Sequence, residues 1–180
     1  MSRLNAVAPE SVTGKVKDLL DAVRGKFGMV PNVIREMANA PAVLDAYLQF
    51  SGALARGTLR PIVREQIALA VAQANGCDYC LAAHSASGKA AGLTAEQIRG
   101  SRLGVGADPA TDALVRFARK VVDARGRVSD EDIEAVRAAG FDDGAIAEVV
   151  ANVALNILTN YYNIVADSEI DFTRAEMIGA

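Results

Sequence analysis

The chain has 180 residues, 51% of them hydrophobic, with no tryptophan, 5% aromatics and a formal net charge of −3. That length suits one domain built on one sizeable core, and an acidic balance with scattered lysines and arginines lacks the basic face that a nucleic-acid partner requires. No window approaches the ~20 apolar residues of a membrane span and the start, MSRLNAVAPE, carries no apolar secretory stretch, so the expected compartment is the cytoplasm, with no nucleic acid and no membrane as partner.

Nearly every segment reads with a period of 3.6. Val16, Leu19, Leu20, Val23 and Phe27 mark an amphipathic helix that Gly28 ends. A second helix opens near Pro31, whose fixed φ suits a first turn, and Pro41 opens a third that runs to Gly57. The segment PIVREQIALAVAQA, from Pro61, is apolar around most of its circumference and belongs deep in the core. Asn75-Gly76 stops it, and a further helix covers Asp78 to about Ala91, where Gly92 ends it. Thr94 and Gln97 have capping-box spacing, and Ser129 is the N-cap of a helix that Gly140 stops. Between these caps DPATDALVRFARKVVDARG forms another helix, and the last long one is DGAIAEVVANVALNILTNYYNIVA. The expected fold class is all-α, a single domain over residues 1–180 with eight to ten helices and short loops.

The chain also echoes itself. A shift of 83 positions lays residues 57–85 on 140–168, with six identities in 29: Gly57/Gly140, Glu65/Glu148, Ala68/Ala151, Tyr79/Tyr162, Ala83/Ala166 and Ser85/Ser168. Cys77 then meets Asn160, Cys80 meets Asn163 and His84 meets Asp167. This reads as a duplicated helical hairpin in which one copy carries the reactive groups and the other keeps the packing.

Both cysteines and the one histidine lie in NGCDYCLAAH, residues 75–84. In a reducing compartment such a pair serves catalysis, redox sensing or metal binding more often than a structural staple. On a helix, Cys77, Cys80 and His84 share one face. A helix start favours a thiolate, and Gly76 makes Cys77 a residue of the new helix's first turn. His84, one turn beyond Cys80, exchanges protons at neutral pH.

Glu65 is the fourth candidate. On one continuous helix it lies about 22 Å from Cys80, at about 1.5 Å per residue. A hairpin at Asn75-Gly76 instead brings Glu65 level with His84. A carboxylate inside REQIALAVA needs a polar partner, and His84, Tyr79 or a water can supply one. Three other readings stand beside a Glu65–His84–Cys80 relay. These are zinc held by the two cysteines, His84 and a carboxylate, inert buried thiols in an alanine-rich core, and Glu65 paired with Arg60 or Arg64. Tyr79 also reads as simple core packing.

The spacing E65-x11-C77-D78-Y79-C80-x3-H84 resembles the core motif of the alkylhydroperoxidase D-like proteins, within the wider carboxymuconolactone decarboxylase family. GMVPNVIREMANAPAVLDAYLQF resembles the family's N-terminal helix region and NIVADSEIDF its C-terminal ending, so the similarity spans roughly residues 25–173. The resemblance implies a repeated helical hairpin, assembly as a homotrimer or homohexamer, and thiol-dependent reduction of hydroperoxides. It implies Cys80 as the attacking thiolate, Cys77 as the resolving thiol, and Glu65 and His84 as the proton relay. It requires no organic cofactor or metal but needs an external dithiol reductant, a lipoyl or thioredoxin-like protein. In the best-known branch the residue before the second cysteine is histidine; here it is Tyr79, which removes one acid–base group or routes the relay through tyrosine. True lactone decarboxylases lack the CxxC, so its presence argues against that activity. The abundance of Ala, Val and Leu suggests an apolar pocket and an organic peroxide. Physics alone leaves open which cysteine attacks, since the helix start favours Cys77 and His84 favours Cys80. A thiol switch that senses peroxide without turnover is the remaining alternative.

Overall fold

The helix-punctuating residues do their expected work in the computed structural model, which describes residues 2–178. A 3₁₀ turn at Pro9–Ser11 precedes α1 (Gly14–Phe27), α2 (Asn32–Met37), α3 (Pro41–Leu54), α4 (Pro61–Asn75), α5 (Asp78–Ala90), α6 (Ala95–Arg102), α7 (Pro109–Asp123), α8 (Asp130–Ala138) and α9 (Asp143–Ala166). The architecture is all-α, with no strand among the described residues. Gly28 and Gly76 end α1 and α4 in the left-handed region, at φ 75° and 67°, where a side chain is costly. The Thr94–Gln97 and Ser129–Asp132 capping boxes both form, and Asp108 with Thr111 makes a third. Pro31 stands one residue earlier than expected, as the N-cap of α2.

Helix α4 is the axis of the molecule and packs against α5, α6, α7 and α9. Ile67, Leu69, Ala70 and Val71 are fully buried on it, and its alanines let neighbouring backbones approach closely. Each buried Ile or Leu side chain of this kind contributes about 1.5–3 kcal/mol. Two apolar clusters flank this axis. One joins α4 to α7, α8 and α9 through Ile67, Leu114, Phe117, Val136 and Val149. The other gathers α1, α2 and α3 around the start of α5 and contains Leu20, Met37, Leu44, Cys77 and Cys80.

The segments 57–85 and 140–168 share residues but not a bend. In the first, the chain breaks at Gly76 between α4 and α5; in the second, Thr159 stands at that place and α9 continues through it to Ala166. Threonine offers no left-handed stop, so the helix runs on until Asp167, at φ 51°. The segments meet in space. The Glu148 carboxylate accepts from the Thr58 and Leu59 backbone N–H groups, at 2.7 and 3.0 Å, and lies where a Cβ on Gly57 would stand.

Candidate active site

The bend at Gly76 sets the site. Cys77 and Cys80 are joined in a disulfide and are almost wholly buried. Cys77 is the N-cap of α5 (φ −91°, ψ 93°) and not a first-turn residue as expected, because the left-handed Gly76 delays the first helical residue to Asp78. Its sulfur takes the place of the usual capping oxygen and accepts from the Cys80 backbone N–H at 3.2 Å. A thiolate at Cys77 would be favoured by the same donor.

The hairpin brings Glu65 of α4 and His84 of α5 together, with His84 Nδ1 at 2.8 Å from Glu65 Oε2. Both side chains are about one-quarter exposed. A Glu65 carboxylate only accepts, so Nδ1 carries the hydrogen, which leaves Nε2 as the ring atom free to take or give a proton. The alternative partner Arg64 is engaged by the Leu59 carbonyl instead. Gly88, one turn after His84, lets α5 lie close to α4: a Cβ there would meet Leu93 at 3.0 Å and the Glu65 Cβ at 3.8 Å. Among the described residues no hydrogen bond joins His84 to either sulfur, although His84 follows Cys80 by one turn on the same face.

Tyr79 lies elsewhere. Its hydroxyl accepts the Val33 N–H at 3.4 Å and its ring packs edge-on against Phe172, with centroids 5.8 Å apart. Asp171 Oδ2 accepts the adjacent Asn32 N–H at 2.7 Å. The first turn of α2, which has no side-chain cap of its own, is thus satisfied in trans by Tyr79 and Asp171. Burial first, and then the Asp171 carboxylate, push the Tyr79 phenol far above its ordinary value. It is a neutral hydroxyl turned to α2, and not the bridge between His84 and Cys80 that its sequence position suggests.

Two residues outside the sequence motif belong to the site. Asn163 of α9 donates from Nδ2 to Cys80 Sγ at 3.3 Å and to the Thr159 carbonyl at 2.9 Å. Tyr47 of α3 packs on the cluster that holds the cysteines. Burial, and then the charge of Glu65, push its phenol up, opposed by a hydrogen bond with Ser51. The 83-residue echo already paired Asn163 with Cys80, which was the available signal; nothing in the sequence singles out Tyr47.

A cleft of about 490 Å³ borders Cys77, between the start of α5 and the end of α9. Its walls include Asp78, Asp167, Glu169 and Arg174, so this cleft is polar and charged where the composition suggested an apolar pocket. Among the described residues no three of His, Cys, Asp and Glu cluster as a metal site would need, and no helix is long and apolar enough to cross a membrane.

A helical bundle that buries a CxxC disulfide at a helix start, beside a Glu–His pair, belongs to the thiol-based redox proteins. Residues 41–124 match the model of the Carboxymuconolactone decarboxylase family. The whole fold resembles the alkylhydroperoxidase AhpD core of an uncharacterized peroxidase-related protein from Ralstonia eutropha JMP134, at 27% identity and a TM-score of 0.86, covering 94% of this chain and 92% of that one. Residues 41–124 thus resemble the carboxymuconolactone decarboxylase family, and the chain as a whole has the alkylhydroperoxidase D-like fold. Its fold is also that of an uncharacterized peroxidase-related protein from Silicibacter sp. TM1040 (23% identity, TM-score 0.77, 93% and 87% covered). The debrominase Bmp8, whose C82A form was solved with 2,3,4-tribromopyrrole, shares the fold as well (18% identity, TM-score 0.79, 95% and 94% covered). A comparison with curated proteins finds no match.

Proposed function

We propose that this protein reduces hydroperoxides, organic ones included, through a Cys77/Cys80 dithiol–disulfide cycle. The observation that carries the reading is the bonded Cys77–Cys80 pair one helical turn before His84, whose Nδ1 is held by Glu65 at 2.8 Å. The Cys80 thiolate attacks the terminal peroxide oxygen, the O–O bond breaks, and the alkoxide leaves with a proton supplied by the His84–Glu65 pair. Cys80 is then a sulfenic acid. Cys77 displaces its hydroxyl, closing the disulfide and releasing water. A dithiol from outside restores both thiols and is itself oxidised to a disulfide.

The roles follow from position. Asn163 supports negative charge on Cys80, as the His84 relay does. That combination favours Cys80 as the attacker and Cys77, at the helix N-cap, as the resolving thiol. His84 and Cys80 are bridged by the peroxide or by a water. Tyr79 is a positioning residue that ties the start of α5 to α2. The reading extends to a cytoplasmic homotrimer or homohexamer served by a lipoyl or thioredoxin-like protein, and to residues 57–85 and 140–168 as copies of one ancestral segment.

The test is stoichiometric. Fully reduced protein mixed with one equivalent of cumene hydroperoxide should consume the peroxide, yield one equivalent of cumyl alcohol and lose both free thiols. A protein that keeps two free thiols and leaves the peroxide intact contradicts the proposal. A single oxidation that dithiols reverse too slowly for turnover identifies a thiol switch.

A further inference from the structure

The two sulfurs of the disulfide have different surroundings. On the Cys80 side stand the Glu65–His84 pair and the Asn163 amide. Cys77, by contrast, borders the cleft of about 490 Å³, and neither Cys80, His84 nor Glu65 contributes to its walls. We propose that this cleft is the reductant's site: an external thiol enters it, attacks Cys77 Sγ, and is selected for lacking negative charge.

The exchange balances without further reagents. The incoming thiolate forms a bond to Cys77 Sγ, the Cys77–Cys80 bond breaks, and the electron pair leaves on Cys80 Sγ. A second thiolate then attacks the reductant's sulfur in the mixed disulfide and releases Cys77, so two thiols are oxidised and one disulfide is reduced. Exchange is faster when the departing sulfur is the better-stabilised thiolate. Asn163 Nδ2, at 3.3 Å from Cys80 Sγ, supplies that stabilisation at Cys80. Cys77 Sγ has a donor of its own, the Cys80 N–H at 3.2 Å, so the choice of sulfur rests on access: Cys77 borders the cleft, and attack there expels Cys80 and regenerates the proposed peroxide-reactive thiolate directly.

One residue of the cleft wall has an unfilled hydrogen-bonding position. Asn163 lines it, is 5% exposed, and its Oδ1 has no hydrogen-bond partner. A buried carbonyl without a donor is costly, and an S–H or N–H entering the cleft would satisfy it. Selection comes from the walls. Asp78, Asp167 and Glu169 face one cation, Arg174, and among the described residues none of the four forms an ion pair. Arg102 also feels the charge of Asp78, but three carboxylates against the one cation of the walls leave the cleft net negative, so it repels a carboxylate-bearing thiol and attracts an ammonium-bearing one, more strongly at low salt.

This inference rests on the redox-cycling reading above, but its test does not pass through peroxide. The disulfide is first closed with diamide. Its reduction is then followed by thiol release with 2-mercaptoethylamine, 2-mercaptoethanol and 3-mercaptopropionate, each rate corrected for the fraction of thiolate. At low ionic strength the cationic thiol should be fastest and the anionic thiol slowest, the order collapsing in high salt. In the Asp167→Asn/Glu169→Gln variant the cation-to-anion rate ratio should fall about fivefold. Asparagine tolerates the left-handed conformation of residue 167. Alkylation of the reaction in mid-course, followed by peptide mapping, should place the mercaptoethanol adduct on Cys77 and the alkyl group on Cys80.

Equal rates for the three thiols, or an unchanged ratio in the variant, overturn the charge selection. An adduct mapped to Cys80 overturns the assignment of the cleft. A protein that shows the charge order but spares cumene hydroperoxide leaves this inference standing and removes the peroxidase reading. Peroxide turnover without charge order does the reverse.

Discussion

Asn163 and Cys80 are 83 residues apart in sequence and 3.3 Å apart in space, joined by an amide N–H that donates to the sulfur. In the proposed cycle the same amide serves the Cys80 thiolate of the reduced protein, and hydrogen bonds to charged groups are worth about 1.5–3 kcal/mol. Asn163→Leu removes it with little change in volume. Loss of the donor should slow iodoacetamide alkylation of Cys80 at neutral pH. Peroxide-driven disulfide formation at neutral pH should slow about tenfold. An unchanged alkylation rate would show that the amide serves packing alone.

The Glu65–His84 pair acts as one unit in this account. A positioned acid–base group contributes typically about 10²–10⁴-fold, so His84→Ala should lower the rate of cumene hydroperoxide reduction about 100-fold or more. Glu65→Gln should cost less, because the ring nitrogen keeps an acceptor. Residues that work together are not additive, so the double variant should be barely slower than His84→Ala. Multiplying losses would indicate two independent roles.

Tyr79 should behave differently. Its buried phenol is raised well above the physiological range, so it stays protonated, and its oxygen accepts the Val33 N–H of α2. Tyr79→Phe should keep peroxide turnover within about threefold and cost about 1 kcal/mol of stability in urea. A large loss of turnover with full stability would restore Tyr79 to the proton relay.

Glu148 answers to pH. Burial works against its charged form, but the Thr58 and Leu59 backbone donors prevail and hold its carboxyl below the usual range. A depressed folded value stabilises the fold above the ordinary carboxyl pKa, and that contribution disappears as pH falls through the folded value. Glu148→Ala should therefore cost about 1–3 kcal/mol at pH 7, and the gap between variant and wild type should narrow as the medium is acidified below about pH 4. Gly57→Ala should be harmful too, since its Cβ would occupy the Glu148 carboxylate's place.

Much of this was legible in the chain. Helix periodicity, the glycine stops and the Thr94 and Ser129 caps are local signals, and local signals survive folding. The meeting of Glu65 with His84 was also readable, because one bend at Asn75-Gly76 converts sequence distance into hairpin register. Tyr79 was less so: adjacency to Cys80 says nothing about which way a ring turns, and the orphan N–H groups of α2 decide that from 46 residues away. Tyr47 is the extreme case, since only the packing of α3 brings it near Glu65.

The most direct measurement is sulfenic acid trapping with dimedone in the two single-cysteine variants. Reduced Cys77→Ser, given one equivalent of cumene hydroperoxide, should carry the dimedone adduct on Cys80, while Cys80→Ser should leave the peroxide unspent and remain unlabelled. An adduct on Cys77 in the Cys80→Ser variant, with Cys77→Ser inert, would contradict the account and reverse the two sulfurs.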